Sequence, residues 1–390
     1  MKQPPGYEIP GKEDLVLELK KTIYGLKQSG RRWYEVLCKT LYKIGFQRTQ
    51  SDHAVFFTHL DDGIVILVIH VDDITTVTSS KNLMQDTKRK LMGELDMTDN
   101  GEVHWILGLE VKRNREERTI SLSQRSYIRS IIARYGLEDA KALSTPMDPS
   151  VNLSRSQCPQ TTNEIAEMRN IPYREAIGSL MYASQATRPD ISFAVTLLSK
   201  FSDNPGRPHW EAVKRVFRYL NGTHDLWLTY GARTEELHGF ADADGNSQED
   251  RHAISGYAFL IDGAAVSWSS KRQNVISLST TEAEYVAATH AAKEAIWIRS
   301  FIGELLGDSE EPTTLFSDNQ SAIKIAKDSQ YHARTKHIDI RFHFIRWIIE
   351  KGTIKLVYRP TEEMTADTLT KPLPSTKAKH FAAALGLGAA

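Results

Sequence analysis

Six carboxylates fall where acids can do chemistry. Asp242 ends an apolar strand pattern at 237–241, and Glu282 lies in the first turn of a long helical pattern at 280–306. Asp318 follows a strand pattern at 314–316, and Asp367 follows another at 354–358 after a short loop. Carboxylates at neighbouring strand ends and one helix start can converge on a single point. Hard cations such as Mg²⁺ take oxygen ligands, and two of them ~4 Å apart can activate a water and stabilise the leaving oxygen in phosphodiester cleavage. The remaining pair, Asp72 and Asp73, sits at or beside a tight turn between apolar runs at 64–70 and 74–78. That is a place for a metal-binding acid pair of a nucleotidyl transferase, which normally needs a further carboxylate from a neighbouring strand.

Each acid also has a plainer use. Ser279-Thr280-Thr281-Glu282 has capping-box spacing, so Glu282 could simply cap its helix. Asp318-Asn319-Gln320-Ser321 could be an ordinary helix N-terminal cluster, and Asp367 a solvated cap acid. Asp72-Asp73 suits a hairpin turn, where Asp side chains bond nearby backbone. Asp242-Ala243-Asp244-Gly245-Asn246 approaches a Ca²⁺ loop, but its Gly comes too early. It also approaches a haloacid-dehalogenase-type phosphatase loop, with Asn246 where Thr is needed. The order of the acids on their elements says more than any one of them.

The elements that must position these residues are legible from periodicity. Helical spacing runs from 29 to 44, 81 to 95 and 127 to 135. Strands are expected at 54–57, 64–70, 74–78, 105–111 and 119–123. Residues 138–172, with Pro146, Pro149, Pro159 and Pro172 among many polar residues, read as a linker. Helices follow around 173–186, 190–202 and 208–220. From about 226 the pattern turns to strands at 226–230, 237–241, 256–261, 266–269 and 275–278, then the long helix. After it, helix and strand alternate. The expected fold class is mixed α/β, with helices flanking a sheet.

Composition bounds the rest. The chain has 390 residues, 41% hydrophobic and 25% charged, and a formal charge of +0, which excludes wholesale disorder. Cys38 and Cys158 cannot make a disulfide framework. No apolar run approaches the ~20 residues that span a bilayer. Zero charge conceals two basic stretches: eight basic residues against one acid between Lys20 and Arg48, and nine against three between Lys324 and Arg359. Such stretches can neutralise phosphates, and Tyr24, Trp33 and Tyr34 could stack on bases; solvated helix faces and a core role for Trp33 are the plainer alternatives.

Several motifs resemble the Pol polyprotein of copia-type LTR retrotransposons. Tyr24-Gly25-Leu26-Lys27-Gln28-Ser29-Gly30-Arg31-Arg32-Trp33-Tyr34 resembles the substrate-gripping motif of their reverse transcriptase. Val71-Asp72-Asp73 resembles its polymerase acid pair, and Leu107-Gly108-Leu109-Glu110 its primer-contacting hairpin. Thr187-Arg188-Pro189-Asp190-Ile191 and His209-Trp210-Glu211-Ala212-Val213-Lys214 resemble the segment that joins polymerase to RNase H. Ser279-Thr280-Thr281-Glu282-Ala283-Glu284-Tyr285, Ser317-Asp318-Asn319-Gln320-Ser321-Ala322 and His332-Ala333-Arg334-Thr335-Lys336-His337-Ile338-Asp339 resemble the RNase H domain.

The resemblance implies a partial palm and thumb over 1–140, a linker and helical connection over 141–225, an RNase H-like domain over 226–375 and a tail over 376–390. It implies that Asp242, Glu282, Asp318 and Asp367 hold two Mg²⁺ or Mn²⁺ ions and hydrolyse RNA in an RNA–DNA hybrid, with Glu282 preferred over Glu284. Asp72 and Asp73 become metal-binding polymerase carboxylates. Lys27, Gln28, Arg32, Trp33, Arg334, Lys336 and His337 become nucleic-acid contacts. Template RNA and primer DNA are the implied partners, with other Pol or Gag products and a cytoplasmic particle as the setting, and no membrane. The family's first polymerase Asp and its fingers precede the matching region, His70 replaces a usual Tyr, and Gly30 replaces a common Pro. Independent polymerisation is therefore not expected. The alternatives are a nucleic-acid-binding remnant without catalysis and a phosphatase built on Asp242 and Asp244.

Overall fold

The structure is a computed structural model and describes residues 1–231, 233, 235–245, 252–327 and 339–389. The described chain forms two compact units: residues 1–101 with 300–308, and residues 102–299 with 309–390.

In the first unit, α1 (Ser29–Lys43) and α2 (Lys81–Glu94) flank an antiparallel meander of β1 (Gln47–Arg48), β2 (Val55–Leu60), β3 (Gly63–His70) and β4 (Asp73–Thr78). Alternation along β3 buries Val65, Leu67 and Ile69, which cluster with Leu37 and Leu41 of α1 and Leu83 and Leu91 of α2. Ser80 caps α2 by accepting the Leu83 N–H at 3.3 Å. His70 pairs with Asp73, so Val71 and Asp72 form a two-residue hairpin turn. Val71 has φ +58°, a conformation a β-branched residue adopts only under strain.

The second unit carries two sheets. One holds β5 (Trp105–Ile106), β6 (Leu109–Asn114), β7 (Thr119–Ser123), β8 (Trp227–Tyr230) and β14 (Leu387–Gly388), in the order β14-β8-β7-β6-β5. Between β7 and β8 lie α3 (Arg125–Arg134), α4 (Thr162–Met168), α5 (Tyr173–Ala186), α6 (Ser192–Ser199) and α7 (Arg207–Asn221). Ile128, Ile131 and Ile132 of α3 share a core with Leu180, Leu198, Val213 and Phe217. The expected boundary near 140 therefore does not match the compact units, because apolar faces on both sides of it are buried against each other. The expected linker is packed as well: Met147 is buried, and Arg215 donates to Thr145 Oγ1 at 2.9 Å. Arg188 and Asp190 form a fully buried bidentate pair at 2.9 and 2.7 Å, and the Tyr219 hydroxyl donates to the same carboxylate at 2.6 Å.

The second sheet has the order β11-β10-β9-β12-β13, from β9 (His238–Asp244), β10 (Ile254–Ile261), β11 (Ala264–Arg272), β12 (Thr313–Ser317) and β13 (Ile354–Tyr358). β9, β10 and β11 are antiparallel neighbours; β9, β12 and β13 run parallel. Parallel neighbours need crossovers, supplied by α8 (Thr280–Leu306), and by α9 (Gln320–Lys327) with α10 (Asp339–Glu350). Ala287, Ala288, Ala291 and Ala295 give α8 a buried face of small side chains. The expected strand at 275–278 does not form: β11 runs to Arg272, where its pairing with Ile254 ends, and Ile276 and Leu278 are exposed. The tail at 376–390, expected to be helical, carries α11 (Ser375–Ala384), which buries Phe381, and beyond it β14 pairs with β8.

Candidate metal centre

Because β9 and β12 are adjacent and parallel, their C-terminal ends face the same way. Asp242 stands near the end of β9 and Asp318 just past the end of β12. Asp367 arrives from a 3-10 turn at Thr365–Leu369. Carboxylate oxygens of Asp242, Asp318 and Asp367 lie within 4.8 Å of one another. Asp242 and Asp367 are buried, and Asp318 is half-buried.

Neighbouring donors orient these acids. The Thr370 hydroxyl donates to Asp242 Oδ2, and the Thr361 hydroxyl donates to Asp318 Oδ2 at 2.7 Å. The Lys371 ammonium lies 2.8 Å from Asp367 Oδ1 and 4.0 Å from Asp242 Oδ2. Burial raises the Asp242 carboxyl above its ordinary value, Lys371 and Thr370 oppose the rise, and Asp318 and Asp244 add to it. Burial, and then the charge of Asp242, push Asp367 up to about 7.

The fourth carboxylate beside this group is Glu284 and not Glu282. Glu284 is buried and hydrogen-bonded to Asp242 and to the Ala243 backbone; burial, Asp242 and Asp318 raise its carboxyl well above the usual range. Its Oε2 is buried with no hydrogen-bond partner among the described residues. Glu282 accepts the Leu278 N–H at 2.8 Å, while its own N–H donates to Ser279 Oγ at 3.2 Å. The capping role, open from sequence, is the one Glu282 takes here. Two signals pointed this way: the capping spacing Ser279-to-Glu282, and the alanine row that continues the Glu284 face of α8 at i+3, i+4 and i+7.

Sequence reading also missed Thr370, Lys371 and Gly256. Gly256 pairs with Asp242 across the β9–β10 ladder, and a Cβ there would stand 2.7 Å from Thr370 Cγ2 and 2.8 Å from Leu369 Cβ. The absent side chain lets the turn bearing Asp367 approach the sheet.

A donor set of carboxylate oxygens, two of them (Glu284 Oε2 and, apart from the Lys371 ammonium, Asp367 Oδ1) buried without a hydrogen-bond partner among the described residues, fits hard divalent cations such as Mg²⁺ or Mn²⁺.

In the first unit, Asp72 and Asp73 are both exposed on the β3–β4 hairpin, and no third acid joins them among the described residues. Lys27 and Gln28 are exposed just before α1, and exposed Arg32 pairs with Glu35 at 2.9 Å. Trp33 Nε1 donates to Val71 O at 2.6 Å, which ties α1 to that hairpin. Arg334, Lys336 and His337 lie outside the described residues.

A family described as reverse transcriptase (RNA-dependent DNA polymerase) matches residues 1–149. The chain is 42% identical over 379 residues to the retrovirus-related Pol polyprotein from transposon TNT 1-94 of Nicotiana tabacum, covering 97% of this chain and 28% of that polyprotein. It is 34% identical over 298 residues to the putative transposon Ty5-1 protein of Saccharomyces cerevisiae, covering 75% of this chain and 94% of that protein. It is also similar to the foamy viral protease-reverse transcriptase solved in complex with RNA/DNA hybrid, at 15% identity and TM-score 0.45, over 87% of this chain and 39% of that one. The chain thus spans between a quarter and a third of the tobacco polyprotein. No helix among the described residues is long and apolar enough to cross a membrane.

Proposed function

Because the chain belongs to the copia-type family of retrotransposon Pol polyproteins, we propose that its second unit is a ribonuclease H that hydrolyses the RNA strand of an RNA–DNA hybrid. The observation that carries this reading is the convergence of Asp242, Asp318 and Asp367 within 4.8 Å, beside the buried Glu284. Asp242, Glu284, Asp318 and Asp367 are the residues that would hold Mg²⁺ or Mn²⁺. When bound, two such ions supply an activated water and a stabilised leaving oxygen.

The chain's own residues supply the rest. Thr370 and Lys371 fix Asp242 and Asp367 from behind, and Thr361 fixes Asp318. Asp318 is the half-buried member of the group, so the scissile phosphate approaches from its side. In the first unit, Lys27, Gln28, Arg32 and Trp33 contact nucleic acid, with phosphate neutralisation giving salt-dependent affinity. Asp72 and Asp73 serve as two polymerase carboxylates, a chemistry that takes a further acid beside them.

A panel of end-labelled duplexes tests the reading. Cleavage of RNA paired with DNA, with RNA–RNA and DNA–DNA duplexes left intact, is the expected result. Cleavage of a small phosphate ester without hybrid cleavage would instead select a phosphatase built on Asp242 and Asp244.

A further inference from the structure

Among the described residues, Lys371 is the cation paired with the carboxylate group. Its ammonium lies 2.8 Å from Asp367 Oδ1 and 4.0 Å from Asp242 Oδ2, between two acids whose side chains are 1% and 2% exposed. Apart from this ammonium, buried Asp367 Oδ1 has no hydrogen-bond partner among the described residues. A charge held this way neutralises the acids and stands against the oxygens that a metal would need. A third of the Lys371 side chain is exposed. Lys371 also lines a cavity of ≈ 20 Å³ with Asp190, Phe193, Tyr219, Thr368 and Leu373. That is room for about one water, and it gives the lysine stem freedom to shift.

We propose that Lys371 is a stand-in cation and positioning residue: without metal its ammonium bridges Asp367 and Asp242 and keeps them facing each other, and a dication must displace it to bind. The inference rests on the reading of this group as a divalent-metal site. Two acids packed together at low dielectric repel each other strongly unless a positive charge lies near, and an ammonium at that place competes with any second cation for the same oxygens. Lys371 thereby sets how much metal the site needs before it fills.

The test is direct titration of the full chain with Mn²⁺ by calorimetry at about pH 8.5, comparing wild type, Lys371→Met and Lys371→Arg; at that pH free carboxylates are ionised. Lys371→Met is expected to bind its first Mn²⁺ about tenfold more tightly than wild type, since the competing charge is gone. Lys371→Arg, which keeps the charge, is expected within about threefold of wild type. Metal-free Lys371→Met is expected to melt lower than wild type and to gain more from added Mn²⁺. Lys371→Gln takes its place if Lys371→Met does not fold. Unchanged or weaker Mn²⁺ binding by the folded neutral variant overturns the proposal, as does a wild-type chain that binds no Mn²⁺. A wild-type chain that binds Mn²⁺ but leaves the RNA strand of a hybrid intact overturns the hydrolase reading alone.

Discussion

Gly256 lies directly across the β9–β10 ladder from Asp242, and its missing side chain leaves the space that the Asp367 turn fills. A Cβ at this position would stand 3.2 Å from Ala366 O as well as against Leu369 and Thr370. The turn would have to lift, taking Asp367 and the Thr370 hydroxyl away from Asp242. Gly256→Ala is expected to lower stability by about 1–3 kcal/mol in urea denaturation, the usual cost of overpacking. It is also expected to raise the Mg²⁺ concentration that half-saturates cleavage. Unchanged stability and metal dependence would mean that this close approach does not constrain the site.

Two glutamates two residues apart on α8, and so on different helix faces, separate a helix cap from a candidate metal ligand. Glu284→Gln is expected to reduce hybrid cleavage at least about a hundredfold, because it removes one charge from the metal-holding set. Glu282→Gln is expected to leave cleavage within about twofold and to lower stability by about 0.5–1 kcal/mol through the weakened cap. Cleavage rates and denaturation midpoints of the two variants read this directly, and the reverse pattern would return the role to Glu282.

Most elements were legible because their periodicity is strong: α1, β3, α7, β12 and α8 follow from spacing alone. What sequence could not give was pairing over long range. The hairpin at Leu109–Ser123 shares a sheet with β8 and β14, more than a hundred residues away, and no local signal encodes that partnership. The same limit explains the domain bounds and the pairing of β14 at the end of the helical tail. At the site, Asp242, Asp318 and Asp367 could be picked out because each follows a readable strand. Glu284 was passed over because the choice between it and Glu282 depends on which helix face meets the sheet. Lys371 and Gly256 carry no signal of their own; each matters only through what folding brings against it.

The metal-free chain is expected to have a distinctive pH dependence. Burial, and then the charge of Asp242, push the Asp367 carboxyl up to about 7 in the fold, against 3.8 ordinarily. Between about pH 4 and about 7 the folded protein therefore holds more protons than the unfolded chain, so stability falls as pH rises through this window. Asp242 and Glu284 are shifted the same way and add to the effect. In EDTA, the melting temperature of wild type relative to Asp367→Asn is expected to drop across that window, and Mg²⁺ to reduce the drop by taking the ionised carboxylates. A relative melting temperature that climbs with pH would contradict the assignment of Asp367 as a buried, burial-shifted acid.

The central claim is that acids gathered from β9, β12 and the Asp367 turn cleave RNA in a hybrid with divalent metal. The most direct measurement is cleavage of a 5′-labelled RNA strand annealed to DNA, by wild type and Asp318→Asn, with Mg²⁺ and with EDTA. Cleavage by wild type in Mg²⁺, abolished by EDTA and reduced at least about a hundredfold by Asp318→Asn, is the predicted result. Full cleavage by Asp318→Asn, or hybrid binding by wild type with no Mg²⁺-dependent cleavage, would contradict it.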